Sequence, residues 1–261
     1  MGIQVSGNAG DSLYGSLGVF AKDALNQAED GDSTRQANFR GVWAPFHEAG
    51  NVLHLGVDYA ARDLSDTAFD GRIRSRLGMR GVSTDGGQDA GTNGNRLLLG
   101  GANNTPAGAY DLDSAWAVEA AWALGPFSLQ GEYLKRETKA DSDAFSDIES
   151  EGYYGQVAYT LTGEARGYKL GKFDAIKPNN KQYGAWELFY RYDHLSTDDN
   201  NGAFANIGDI EGKVHNVGVN WYANEAVKIS AVYVKTNVEN AENGAGDDSG
   251  DGFVTRAQYV F

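Results

Sequence analysis

The 261-residue chain has no cysteine, four prolines and 35 glycines, and its formal net charge is −14. These figures exclude a disulfide framework and thiol chemistry, and the acidic balance argues against nucleic acid as a partner, because a phosphate backbone is held by clustered Lys and Arg. Hydrophobic residues make up 41% and aromatics 11%, yet no run approaches the ~18 apolar residues that a spanning helix requires.

Met1-Gly2-Ile3-Gln4-Val5 enters period-2 alternation directly, without the charged and apolar regions of a signal peptide, so the chain is expected to be a mature form shortened at its N-terminus. Eleven segments share this periodicity: Ile3 to Gly7, Leu13 to Lys22, Gln36 to Ala44, Val52 to Arg62, Ser114 to Leu124, Phe127 to Arg136, Gly152 to Leu161, Ala185 to Leu195, Val214 to Ala223, Val227 to Thr236 and Phe253 to Phe261. Helical periodicity is never sustained, and the expected fold class is all-β.

In many segments one face is aromatic or aliphatic and the other mixes polar, charged and small residues. Val217, Val219 and Trp221 alternate with Asn216, Gly218 and Asn220, and Phe127, Leu129 and Tyr133 oppose Ser128, Gln130 and Glu132. A soluble sandwich shows the same alternation with its apolar face turned inward. Three features favour a membrane barrel instead. Aromatics sit towards segment ends, as Trp116 with Trp122 and Tyr153 with Tyr159, which suits girdles at two membrane interfaces. Connections alternate between tight (Asn8 to Ser12, Pro45 to Asn51, Leu124 to Pro126, Ala223 to Ala226) and long (23–35, 63–113, 137–151, 196–213, 237–252), with Thr162 to Tyr183 a long exception on the short side. The terminal Tyr259-Val260-Phe261 resembles the assembly signal of bacterial outer-membrane proteins, which puts the short turns in the periplasm and the long loops outside. Eleven is an odd number, whereas single-chain bacterial barrels close with an even one, so strands preceding Met1 are expected to be missing.

Most long connections are acidic, among them Asp141, Asp143, Asp147, Glu149 and Glu151, and Glu239, Glu242, Asp247, Asp248 and Asp251. Solvated loops explain these better than Ca²⁺ ligation, because no EF-hand pattern is present. Against this background the run from Arg72 to Arg80, RIRSRLGMR, holds four arginines and no acid. In an extended chain Arg72, Arg74, Arg76 and Arg80 share one face, with neighbouring rungs ~7 Å apart. Guanidinium is permanently charged and presents a fork of donors matched to phosphate oxygens. Like charges at ~7 Å repel by ~2 kcal/mol per pair at an effective dielectric near 20, and mobile anions relieve that repulsion. A row of similar, relieved sites suits conduction, which needs binding that is favourable to enter and weak enough to leave. The run lies in the longest connection, and a loop of that length folded inward would put it in the lumen. Arg96 follows in the same loop and extends the path. The exceptional periplasmic connection carries Arg166, Lys169, Lys172, Lys177 and Lys181, a basic mouth that focuses anions or a plain solvated turn.

Arg72-Ile-Arg-Ser-Arg-Leu-Gly-Met-Arg-Gly-Val-Ser-Thr84, Trp43-Ala-Pro-Phe-His-Glu-Ala-Gly-Asn-Val52, Gly184-Ala-Trp-Glu-Leu-Phe-Tyr-Arg-Tyr192, Asn220-Trp-Tyr-Ala-Asn-Glu-Ala-Val227 and Gly250-Asp-Gly-Phe253 resemble the phosphate-selective porin family, the phosphate and pyrophosphate porins, over essentially the whole chain. The resemblance implies an antiparallel transmembrane β-barrel of the sixteen-stranded porin type, here as a single domain over 1–261 with the first five strands absent. It implies a homotrimer in the outer membrane of a Gram-negative bacterium, in contact with lipid and lipopolysaccharide, that passes phosphate or pyrophosphate without a cofactor. Residue by residue, the ladder carries over to Arg72, Arg74, Arg76, Arg80 and Arg96 in the 63–113 loop, and the family's periplasmic lysines to Lys169, Lys172 and Lys177. The alternative is a non-selective or structural outer-membrane barrel. An enzyme is not expected: His47, His54, His194 and His215 fall in different segments, and Asp193-His194 is the one suggestive pair.

Overall fold

The computed structural model describes residues 1–21, 35–64, 73–75, 77–78, 97–100, 105–169, 171–202, 205, 208–241 and 246–260. Its framework is one antiparallel sheet of eleven strands. In chain order the first four are β1 (Gly2–Ala9), β2 (Leu13–Ala21), β3 (Arg35–Glu48) and β4 (Asn51–Asp63). A small hairpin of β5 (Ile73–Ser75) and β6 (Leu97–Gly100) stands apart from the sheet, which continues with β7 (Tyr110–Leu124), β8 (Phe127–Ala140) and β9 (Ile148–Thr160). A second small hairpin, β10 (Tyr168–Lys169) and β11 (Lys172–Phe173), precedes β12 (Ala185–Asp199), β13 (Ile210–Tyr222), β14 (Val227–Ala241) and β15 (Gly246–Tyr259). Every large strand pairs with its neighbour in the chain, and among the described residues β1 and β15 are each paired on one side. Phe261 lies outside the described residues.

The two faces differ in chemistry, as the period-2 pattern requires. One carries exposed Trp122, Trp186, Leu188, Val217 and Ile229. The other carries Arg40, Asp58, Glu119, Glu187, Arg191, Asn216 and Asn220, several of them bonded to one another. On the apolar face the aromatics form two rows. Trp116, Tyr133, Tyr153, Tyr192, His215 and Phe253 make the upper row, joined by ring contacts at 5.3 Å (Trp116 to Tyr133), 6.1 Å (Tyr153 to Tyr192) and 5.0 Å (Tyr192 to His215). Trp122, Phe127, Tyr159, Trp186, Trp221 and Tyr259 make the lower row, with Trp186 stacked on Trp221 at 5.7 Å. On each of these strands the two rows are six residues apart, ~20 Å along the strand, which fits inside the ~25 Å apolar band of an outer-membrane barrel.

The polar face is the inner one. The segment 162–183 touches it at points far apart in the sheet: Gly171 lies against Tyr14 of β2 and Val42 of β3, Tyr168 bonds His54 of β4, and Ile176 is buried against Ala185 of β12 and Tyr222 of β13. One short segment reaches both the second and the ninth strand of the sheet only if the sheet curls around it.

The structure departs from the expected element boundaries in two ways. Strands run past the upper aromatic row, so β8 and β9 are joined by 141–147 and β14 and β15 by 242–245, and Glu149, Glu151, Asp247 and Asp251 are strand rather than loop residues. Polar residues such as Lys135, Glu137, Glu149 and Glu151 replace the apolar outer face there, which weakens the alternation that marks a strand, while ladder pairing continues with cross-strand contacts such as Lys135 to Glu149 at 2.7 Å. Pro45 is not in a turn either. It sits inside β3 at an irregularity between Trp43 and Phe46, where the missing N–H breaks no regular ladder bond, and the turn falls at Ala49 and Gly50.

Candidate functional site

The long connection between β4 and β7 begins with Leu64, buried with Ala109, Tyr110 and Ile148. It then sends β5 and β6 onto the inner wall. Ile73 packs against a cluster of Leu77, Leu99, Ile210, Val214, Val234 and Val238, so the hairpin rests on the inner face of β13 and β14. A Cβ on Gly100 would lie 2.7 Å from Thr197 Cγ2, which seats the second arm closely on β12. A cavity of ~480 Å³ between hairpin and wall is lined by Ser75, Leu77, Arg191, Asp193, Asn216 and Val232, among others.

Of the predicted ladder, Arg72, Arg76, Arg80 and Arg96 lie outside the described residues, and of Arg74 the backbone in β5 is described. The uniformly extended run expected from Arg72 to Arg80 is interrupted. Leu77 and Gly78 form a turn with φ values of 46° and 82°, and the Leu77 N–H donates to Ser75 Oγ at 3.0 Å. Burial of the Leu77 side chain in the wall, worth ~1.5–3 kcal/mol, outweighs the ~1–2 kcal/mol cost of a left-handed leucine.

The inner wall has its own cations, which sequence reasoning did not single out. Arg40 donates to Asp58 at 2.9 Å and to Glu119. Arg62 and Arg136 both donate to Asp113, each at 2.7 Å, with Thr138 as a further donor to the same carboxylate. Arg191 donates to Asp193 at 2.8 Å and lies 3.6 Å above the Tyr154 ring, and Asn216 also donates to Asp193. In the connection 162–183 Arg166 bonds buried Glu187, which also accepts from Asn220 at 2.7 Å. Each of these five guanidiniums faces a carboxylate, whereas the sequence from Gly71 to Thr84 contains no acid at all.

The connection 162–183 is held inward by polar bonds as well. His54 Nδ1 and the Tyr168 hydroxyl are 2.6 Å apart, and His54 Nε2 is 3.0 Å from Glu119 Oε1. Burial, with the negative charge of Glu119 nearby, pushes the Tyr168 phenol up to about 12. Burial alone would raise the Glu164 carboxyl, but hydrogen bonds from Thr162 and from the Asn179 amide overcome it and hold the group below the usual carboxylate range. Lys169 and Lys172 are exposed and face each other across the β10–β11 pair, and exposed Lys177 is 3.5 Å from Glu225.

Asp193 and His194 do not form a dyad. They point to opposite faces of β12, Asp193 to Arg191 and Asn216, and His194 to Tyr153, stacked at 4.7 Å, and to Glu211.

A family described as "Phosphate-selective porin O and P" matches residues 1–261. The chain is 61% identical over 267 aligned residues to Porin O of Pseudomonas aeruginosa, covering 100% of this chain and 60% of that protein, so it spans about three-fifths of the length of that relative. Among solved structures, in-vitro folded OmpT, an outer membrane protein of Vibrio cholerae, superimposes with a TM-score of 0.56 at 13% identity, over 99% of this chain and 63% of that one. The trimer form of the same protein gives 0.52 at 15% identity, over 99% and 64%.

Proposed function

The chain belongs to the phosphate-selective porin O and P family, and from that membership we propose that it forms a channel through which phosphate or pyrophosphate diffuses along a path lined by arginine. Its fold is that of an outer-membrane β-barrel and its place is the outer membrane of a Gram-negative bacterium. The family is one of channels rather than enzymes.

The supporting observation is a contrast between the paired arginines of the wall and an acid-free arginine run in the sequence of the connection that rests on it. The wall arginines Arg40, Arg62, Arg136, Arg191 and the loop residue Arg166 each engage a carboxylate, so they add little net attraction for an anion. The run around β5 brings Arg72, Arg74, Arg76 and Arg80 with no acid between Gly71 and Thr84, and its neighbours Ile73 and Leu77 rest on the inner wall. In this reading the guanidiniums of the run, with no acid beside them in the sequence, would offer oxyanions successive resting places, and Arg96 would continue the file. Exposed Lys169 and Lys172 on the periplasmic connection would draw anions to the other mouth by field focusing, with a smaller share from Lys177, which lies beside Glu225. The assembly we propose is a homotrimer, as the Vibrio cholerae barrel is in its trimer form.

Single-channel recordings in graded phosphate test this. Conductance is expected to saturate with phosphate, and replacing Arg72, Arg74, Arg76 and Arg80 by Ala is expected to weaken the apparent affinity at least ~10-fold, equivalent to ~1.4 kcal/mol. Conductance that rises linearly in the unaltered protein, with no preference for phosphate over chloride, identifies a general porin instead. Closure in three equal steps is expected of a trimer, and closure in one step rejects it.

A further inference from the structure

We propose that Leu77, together with Gly78, is the positioning residue of the cationic segment: it keys the inward-folded connection into a recess of the wall floored by Gly212. This rests on the reading of that segment as the anion path.

The backbone states the constraint. Leu77 is left-handed at φ 46°, a conformation that leucine rarely adopts, and Gly78 follows at 82°. A bulky residue stays in such a conformation when its surroundings over-determine it. Here they do. The Leu77 side chain is 4% exposed and sits among Leu99, Ile210, Val214, Val234 and Val238. Directly beneath it β13 has a glycine, and a Cβ on Gly212 would stand 2.8 Å from Leu77 Cδ2, closer than carbon atoms approach. Gly78 also lies near the wall, less tightly: a Cβ there would be 3.2 Å from Val234 Cγ1 and 3.6 Å from Val214 Cγ1.

The fit is therefore reciprocal. The wall lacks a side chain where the loop presents one, and the loop lacks one where the wall presents Val234. Simple burial of an apolar residue would require neither the left-handed leucine nor the glycine beneath it. Ile73 in β5 and Leu99 in β6 belong to the same cluster, so both arms of the hairpin are tied to the seat. In the sequence Arg72, Arg74 and Arg76 precede Leu77 and Arg80 follows Gly78, so the seat lies within the run that carries all four.

The test is a size exchange in the intact, bilayer-inserted protein. Leu77→Ala empties the recess, and Gly212→Ala obstructs it. Each single change is expected to raise the half-saturating phosphate concentration. If about a tenth of molecules keep the segment seated, the apparent affinity falls about tenfold. Each is also expected to speed tryptic cleavage within 63–113. The pair Leu77→Ala with Gly212→Ala, in which the added methyl occupies part of the vacated space, is expected to recover towards the unaltered protein in both readouts. Single variants that change neither readout overturn the proposal, as does a pair no better than the worse single. Leu77→Ala removes atoms and leaves the wall intact, so it decides the matter if Gly212→Ala does not assemble. Unaltered protein without phosphate saturation defeats the channel reading, whereas tryptic cleavage still judges the seat.

Discussion

Glu164 is a buried carboxylate on a connection between two strands, and it keeps its charge because donors surround it. Thr162 and the amide of Asn179, the latter at 3.0 Å from Oε1, bond the ionised form, and hydrogen bonds to a charged group contribute ~1.5–3 kcal/mol. Its folded pKa is depressed, so the stability it contributes is present above the ordinary glutamate range and is lost as pH falls through the folded value. Acid should therefore loosen the connection 162–183 before it melts the wall. Amide exchange at Asn179, corrected for its intrinsic rate, is expected to quicken as pH drops below ~4.3, and Glu164→Gln should show that quick exchange already at neutral pH. Exchange that stays slow in the variant would remove Glu164 as the clasp. At this scale the sequence shows residue type but not partnership. The arginines of 72–80 stand out because no acid interrupts them, whereas the bonds of Arg40 to Asp58 and Glu119, and of Arg62 to Asp113, span 18, 79 and 51 positions and leave no local signal. Leu77 is hidden for a different reason. Read as one apolar rung of an extended run, it gives no hint that the backbone turns there.

For the strands, alternation is a good guide where lipid imposes it and a poor one beyond. All eleven strands of the sheet are recognisable from Trp, Tyr, Val and Leu facing one way and Gly, Asn, Gln and Glu facing the other. Above the upper aromatic row the outer side turns polar, and Lys135 with Glu149 or Lys213 with Glu239 hold strand pairs that look like loops in the sequence. The aromatic rows thus mark where the hydrocarbon ends. Val217 lies between the rows on β13, two residues from His215 and four from Trp221, and is 56% exposed, so an arginine there would project into lipid. Val217→Arg is expected to destabilise the folded protein in vesicles by ~2–4 kcal/mol, and His215→Arg, at the upper row, by ~0–1 kcal/mol. Equal costs at the two positions, measured by reversible urea unfolding, would mean that the rows do not bracket the membrane.

Across the whole molecule, a wall of paired charges carries a separate cationic piece on its inner face. The wall follows from its periodicity. The connection 63–113 stands out in the sequence by its length and its arginines, and its described pieces β5 and β6 rest on β13 and β14. The inward course of 162–183 was not legible, because its anchors, Tyr168 to His54 and Ile176 to Ala185 and Tyr222, depend on contacts made only when the sheet is curved.

That segment acts as a brace between distant staves of the wall. The bond from Tyr168 to His54 joins residues 114 positions apart, and the entropy of closing so long a loop is recovered only once β4 and β12 already face each other. During insertion the brace should consequently be the last part to dock, with Lys169, Lys172 and Lys177 open to trypsin while the wall is already protected. Simultaneous protection of brace and wall in a time course of folding into vesicles would contradict this order. A passage built in that sequence is widest while immature and gains its narrow inner mouth only on completion, so a half-finished barrel leaks more than a finished one.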